Sequence, residues 1–274
     1  MKESICNYIE YLGESHGLKI SLHGEGIRRF LDFLAPYNAH ECAYCMYVKS
    51  SAECWQRCRE GQRRAEAHLA ENGEYFGSCY AGVGEFVFPI TAFDKNVGMI
   101  SVGAYIGNAE KRSKFCAEYG FHEAKMSSLA HSELKEEVPD FKFIKTLIDP
   151  LSAMLTLMIE RCGGEVGAES IYGKILSIIH TGYMKKLSIS DIAAKCHYSP
   201  SFLTRHFKEK SGKTINEYIF SVRIKKAAEL LLGSDMRIED VAASTGFFDT
   251  NYFISCFSKE YGVPPKKYRN ANKR

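Results

Sequence analysis

Between residues 75 and 105 apolar and polar positions come in short runs rich in aromatic and β-branched residues. The runs at 75–79, 85–90 and 98–105 predict three strands, and Asp94-Lys-Asn-Val-Gly98 supplies a turn between the last two. Around them the period lengthens to that of a helix, predicting one helix over 27–34 and a highly charged one over 52–70. Leu151, Met154, Leu155, Met158 and Ile159 also fall at helical spacing, with Pro150 placed as a first-turn proline. That stripe either packs on its own domain or forms a signalling or homodimer helix over about 150–162. The N-terminal half is thus expected to be α+β with a central antiparallel sheet, a form suited to a concave small-molecule pocket.

After Gly163-Gly-Glu-Val-Gly167 the pattern becomes helical throughout and nearly repeats itself. Ile189-Ser-Asp-Ile-Ala-Ala and Ile238-Glu-Asp-Val-Ala-Ala each open a short helix, and each is followed at matching distance by a Phe and a Gly, Phe207 and Gly212, then Phe257 and Gly262. Two copies are too few for a solenoid, so a pair of helix-turn-helix motifs is the better reading. In the first copy Ser188 and Asp191 form a Ser-x-x-Asp cap, and Ser199-Pro200 starts a second helix after only Cys-His-Tyr. So short a link forces the angled pair that sets a recognition helix into a major groove. Phe202, Leu203 and Phe207 are expected inside, leaving Ser201, Thr204, Arg205 and Lys208 for double-stranded DNA. In the second copy Gly246-Phe-Phe-Asp249 is the turn and Phe253 and Phe257 the core, with Thr250, Asn251, Ile254, Ser255 and Ser258 outward. That outward set holds no cation, so it should add less to guanine readout and phosphate affinity than the first copy. Between the copies, Thr214 and Glu217 open a capping box, and a long helix over 214–232 is expected to set the distance between the two readers.

Charge divides along the same line. After residue 168 there are 18 Lys and Arg against 10 Asp and Glu, a balance of +8, whereas residues 1–168 carry −5. A basic half that coincides with the repeat fits a domain that meets phosphate. At 274 residues, two domains are expected: 1–162 as a sensor, 163–168 as linker and 169–274 as the double helix-turn-helix domain. No long apolar run occurs and the start lacks a signal-peptide core, so the expected location is cytoplasmic, without membrane insertion.

The region 172–269 closely resembles the DNA-binding domain of the AraC/XylS family of bacterial transcription regulators. The resemblance rests on Ile189-Ser-Asp-Ile-Ala-Ala, Ser199-Pro-Ser-Phe-Leu-Thr-Arg-His-Phe-Lys208, Gly212, Tyr218, Arg223, Ala227, Leu230-Leu231 and Ile238-Glu-Asp-Val-Ala-Ala. It continues through Gly246-Phe247, Asp249, Tyr252-Phe253, Phe257, Gly262, Pro264 or Pro265, and Tyr268-Arg269. By position it implies base readers at Ser201, Thr204 and Arg205, and at Thr250, Asn251 and Ser255. Ser255 and Ser258 stand where that family often has Arg and Lys. Such a regulator would also have RNA polymerase as a candidate partner.

The N-terminal half concentrates thiols: Cys42, Cys45, Cys54 and Cys58 lie close together, and Cys79 ends a predicted strand. Read from spacing, these are buried small hydrophobes, a tetrahedral zinc or other metal site, or redox groups. His16, His23, His40 and His68 form no metal-binding motif and read as surface or core residues. Cys45 with Ser50-Ser51, Cys58-Arg59, and Cys79-Tyr-Ala-Gly-Val-Gly-Glu-Phe-Val-Phe-Pro-Ile90 resemble the PocR-type sensory domain, a PAS-like fold, over about 20–160. The resemblance implies a small organic effector, a hydrocarbon derivative such as a diol, near Cys45, Cys58, Cys79, Tyr80, Glu85 and Phe86. The alternative is a metal- or thiol-redox sensor using Cys45, Cys58 and Cys79. No Pro-Cys-His-Arg segment of a DNA-repair methyl acceptor is present, and no enzyme activity is expected.

Overall fold

The computed structural model describes residues 1–38, 40, 42–49, 51–162 and 170–272; Ser50 and the expected linker at 163–168 lie outside them. Two compact units result, Met1–Ser170 and Ile171–Arg274. In the first, strands β1 (Lys19–His23), β2 (Tyr75–Ser78), β3 (Val83–Ala92) and β4 (Lys95–Ile106) form one antiparallel sheet in the order β1-β4-β3-β2. Ala92 pairs with Lys95, so the β3–β4 turn is Phe93-Asp94, earlier than the expected 94–98. Both turn residues have positive φ, 51° and 57°, as the tight turn matched to strand twist requires.

Period-two alternation gives the sheet two unlike faces. Ile20, Leu22, Phe86, Phe88, Ile90, Ile100 and Val102 turn toward one side, where α1 (Lys2–His16) and α8 (Phe141–Arg161) cover them. At 20 to 30 cal/mol per Å² this continuous apolar core is the main stabilising term of the unit. The other face carries Ser21, His23, Glu85, Val87, Met99 and Ser101, and α5 (Ala52–Asn72) packs Leu69 against Val87 and Met99. β1 must pass close to β4: a Cβ on Gly98 would sit 2.5 Å from the His23 carbonyl oxygen. Smaller helices complete the unit: α2 (Glu25–Arg28), α3 (Leu31–Leu34), α4 (Ala43–Val48), α6 (Ala109–Tyr119) and α7 (Glu123–Glu133). The segment 27–34 is therefore two short helices rather than one.

Helix α8 starts about nine residues before the expected position, because the Asp140 side chain accepts from the backbone N–H groups of Lys142 and Phe143. Pro150 thus lies inside the helix, not in its first turn. Leu151, Leu155, Met158 and Ile159 are buried against the sheet and Met154 partly so. The apolar stripe is consumed by its own domain and is not free to pair with a second chain; the exposed large apolar residues of α8 are Phe143 and Leu157, neither of them in the stripe.

The second unit is all helical: α9 (Ile171–Gly182), α10 (Ile189–Cys196), α11 (Pro200–Ser211), α12 (Ile215–Gly233), α13 (Ile238–Ser244), α14 (Thr250–Tyr261) and α15 (Pro265–Asn272). α10–α11 and α13–α14 are the two helix-turn-helix pairs. Thr214 and Glu217 cap α12 reciprocally, the Thr214 oxygen accepting from the Glu217 N–H and the carboxylate from the Thr214 N–H. Two arginines fix the strut to its readers. Arg223 donates to the carbonyls of Tyr183 and Lys185 (2.8 and 2.9 Å), just ahead of α10. Arg269, on α15, donates to the carbonyls of Leu231, near the end of α12, and of Met236, just ahead of α13 (3.2 and 2.6 Å). Among the described residues no helix is long and apolar enough to cross a membrane.

Candidate functional site

The polar face of the sheet is the floor of a cavity of about 660 Å³ walled by α4, α5, the β2–β3 turn and α6. Cys45 comes from α4, Cys58 from α5, Cys79 and Tyr80 from the β2–β3 turn and Glu85 from β3, and all five line it. Phe86 does not. One residue on from Glu85, it points through the sheet into the apolar core and packs against Phe141, ring centres 5.6 Å apart. Tyr80 reaches across the cavity, its hydroxyl donating to the Cys54 carbonyl at 2.7 Å.

The floor holds a charge-poor polar pair. His40 Nδ1 lies 3.4 Å from Glu85 Oε1, and both side chains are largely buried. Burial raises Glu85 to about 7, against the opposing pull of the Ser101 hydroxyl and the Lys49 charge. Burial, helped by Lys49, lowers His40 to about 3, so its imidazole is neutral at physiological pH. His40 Nε2 is buried with no hydrogen-bond partner among the described residues. Lys49, 3% exposed, donates to the His40 carbonyl at 2.6 Å and lies over the Trp55 ring. Behind the pair, the His23 ring stands 5.7 Å from that of His40, and burial holds its pKa well below the ordinary value. Such a floor offers a hydroxyl-bearing guest a neutral acceptor and a shared proton in dry surroundings, where hydrogen bonds count most.

His40 and His68, expected as surface or core residues, line this cavity, as do Lys49 and Ser101, which no sequence motif marks. The missing signal is β1: pairing of His23 with Met99 and of Ser21 with Ser101 is what gathers polar residues on one face. The hydrogen bond with Cys42, and then burial, raises the Cys45 thiol, while burial aided by Glu85 raises Cys58 and pushes Cys79 up to about 12, so all three stay protonated. Among the described residues no three His, Cys, Asp or Glu side chains converge to hold a metal ion.

In the second unit, Ser188 caps α10 and Ser199 caps α11, the latter accepting from the Phe202 N–H at 3.3 Å. Leu203 and Phe207 are buried, but Phe202 is not core: it is half-buried and stacks between Tyr198 and His206, ring centres 5.0 and 5.7 Å away. Ser201, Arg205 and Lys208 are exposed; Thr204 is half-buried, its hydroxyl donating back to the Pro200 carbonyl at 2.9 Å. Arg205 keeps 73% of its side chain exposed and, among the described residues, has Glu209, 4.0 Å away, as its ionic neighbour. On α14, Asn251 and Ser255 are exposed and Thr250 half-buried, while Phe253 and Phe257 are fully buried. Ser258 and Ile254 are half-buried, with the serine hydroxyl donating to the Ile254 carbonyl. Among the expected reader positions cations occur only on α11, at Arg205 and Lys208; the exposed Lys259 of α14 sits in its last turn, outside the expected reading set.

Comparison with known proteins agrees with this division. Residues 33–161 match the sensory domain found in PocR, and residues 192–271 match a helix-turn-helix domain. The regulatory protein PocR of Salmonella typhimurium is 22% identical over 91% of this chain and 86% of its own length. An uncharacterised helix-turn-helix regulator of Bacillus subtilis, YtdP, is 31% identical over 38% of this chain, a segment that spans 14% of that relative. Among solved structures, the C-terminal domain of AraT, a response regulator from Geobacillus stearothermophilus, is 28% identical over 38% of this chain and 88% of its own, with a TM-score of 0.38. The two domain matches, in this order along one chain, place the protein among the AraC-type transcription regulators that carry a PocR-type sensory domain.

Proposed function

We propose that this regulator adjusts its hold on double-stranded DNA according to occupancy of the sensory cavity by a small hydroxylated organic molecule of the diol class. The observation that carries the reading is that strand β3 is a wall common to the cavity and to α8. Glu85 and Val87 line the cavity. Further along the strand, Ser152 and Thr156 of α8 donate to the Pro89 and Thr91 carbonyls, at 2.9 and 2.6 Å. A guest that displaces β3 therefore bears on α8, the last helix of the sensor, and can shift the regulator only by its differential affinity for two arrangements. The neutral His40 imidazole, with the Glu85 carboxyl and Ser101, suits a hydroxyl, and the cavity lies within the roughly 300 to 1,000 Å³ range of small-molecule sites. Recruitment or release of RNA polymerase is the output that fits a DNA-bound regulator of this kind.

Titration calorimetry of the full chain with short-chain diols and hydroxy acids tests the reading. Gly61 lines the cavity on α5 with nothing within 4 Å of where its Cβ would be, so Gly61→Phe can start its side chain there and take up cavity space. Saturable binding to the parent and none to Gly61→Phe is expected, together with a ligand-dependent change in DNA affinity. Binding that survives the filling, or a panel in which no compound binds saturably, would overturn the proposal.

A further inference from the structure

The two helix-turn-helix copies differ by one residue, and the extra residue is Phe248. In the first copy the turn runs through His197, at φ 62°, and the Tyr198 N–H donates to the Ala193 carbonyl at 3.1 Å. The next residue, Ser199, caps α11. In the second copy Gly246 takes the positive φ, at 83°, and the Phe247 N–H donates to the Ala242 carbonyl at 2.9 Å. Phe247 is thus the counterpart of Tyr198, yet the cap is not the next residue but the one after, Asp249, whose carboxylate accepts from the Tyr252 N–H at 2.7 Å. Phe248 is inserted between them.

The insertion is not taken up by the core. Phe247 turns inward, 5% exposed, with its ring 5.1 Å from that of Phe253. Phe248 is 80% exposed, more than any other large apolar residue among those described. It stands at the N-terminal end of α14, the end of a recognition helix that meets base edges, beside exposed Asn251 and an exposed Tyr252. This is also the reading face without a cation, so its base discrimination must come from groups other than arginine. An exposed phenyl ring there has one partner of matching chemistry in a major groove, the C5-methyl group of thymine.

We infer that Phe248 is a specificity-determining residue that reads thymine through its methyl group, giving the second copy an apolar readout where the first uses Arg205. The inference rests on the second unit binding DNA in the major groove. It is tested by selecting preferred duplexes from a randomised double-stranded library with the full-length protein and with Phe248→Ala and Phe248→Leu, then replacing selected thymines one at a time by deoxyuridine, which removes only the methyl. Wild-type and Phe248→Leu should share a thymine whose replacement weakens binding about fourfold, the worth of one buried methyl-sized group. Phe248→Ala should lose the preference for that thymine and be indifferent to the replacement, with an unchanged unfolding midpoint. The same motif and the same deoxyuridine sensitivity in Phe248→Ala would overturn the inference. Equal weakening on every duplex would make Phe248 a backbone contact, and unchanged DNA binding with lost transcriptional output would make it a protein contact; both refute the thymine assignment. Failure of the wild-type protein to select any motif would instead refute the underlying DNA reading.

Discussion

Replacing Arg205 by Ala should separate recognition from folding. Its side chain is 73% exposed and its ionic neighbour among the described residues, Glu209, lies 4.0 Å away with 65% exposure, so the pair is screened and removal should change stability by no more than about 0.5 kcal/mol. Against DNA the same guanidinium can form two parallel bonds to one guanine, worth about 1 to 3 kcal/mol of discrimination, or a factor of roughly 5 to 150 in relative affinity. Fluorescence anisotropy on the preferred duplex and on its single-base variants would measure that ratio at two salt concentrations. The expected result is collapse of discrimination at one base position, with the other positions unchanged. Ser255→Ala, which removes a small hydroxyl from the uncharged face of α14, should change discrimination little. Equal losses at Arg205 and Ser255 would refute the asymmetry between the copies. A uniform loss on all sequences, with the salt slope reduced by about 1, would make Arg205 a phosphate contact.

Other expectations follow from the same geometry. Arg223→Met leaves the Tyr183 and Lys185 carbonyls without their charged donor and should cost the second unit about 2 to 4 kcal/mol, read from thermal unfolding of the full chain; a loss below about 1 kcal/mol would show that water replaces the guanidinium. At Gly246 a Cβ would stand 2.4 Å from the Tyr183 carbonyl oxygen on a backbone of φ 83°, so Gly246→Ala should destabilise the same unit and weaken DNA binding, whereas Gly212→Ala, with open space around it, should be milder. Glu85 holds its proton up to about 7 in the folded chain, well above the unfolded value, so its contribution to stability falls as pH rises from about 4.5 to about 7. Glu85→Gln removes that fall, and the stability of the variant relative to the parent should rise by about 3 kcal/mol between pH 4 and pH 8; a pH-independent difference would refute the burial of this carboxyl.

The second unit was largely legible because capping chemistry is local. Ser188, Ser199, Thr214 and Asp249 announce helix starts through side chains that bond within three residues, and tertiary contacts do not override them. The sensor is harder because its site is made by strand pairing. Lys19–His23 is only five residues long, and only register against β4 reveals that Ser21 and His23 share a face with Ser101 and Met99. The thiol-containing segments point to the cavity wall, but the adjacent-residue reasoning that adds Phe86 to Glu85 ignores the pleat. Pro150 misleads for a related reason: a proline inside a helix looks like a proline at its start unless the cap ten residues earlier is weighed. Phe202 looks like core from its helical spacing, yet it finds aromatic partners on the surface instead.

Helix α12 has a consequence for the genome as well as for the protein. Its 19 residues span about 28 Å, close to the roughly 34 Å that separates successive major grooves on one side of a duplex, and Arg223 and Arg269 tie it to both readers. One inserted base pair would rotate the second box by about 35° and push it away, and inserting a full turn would restore the angle but not the distance. A regulator with two readers on a flexible tether could tolerate either change. Here the spacing between the two boxes is written in the length of a helix, so it should be invariant across every promoter the protein controls, even where the bases within the boxes drift.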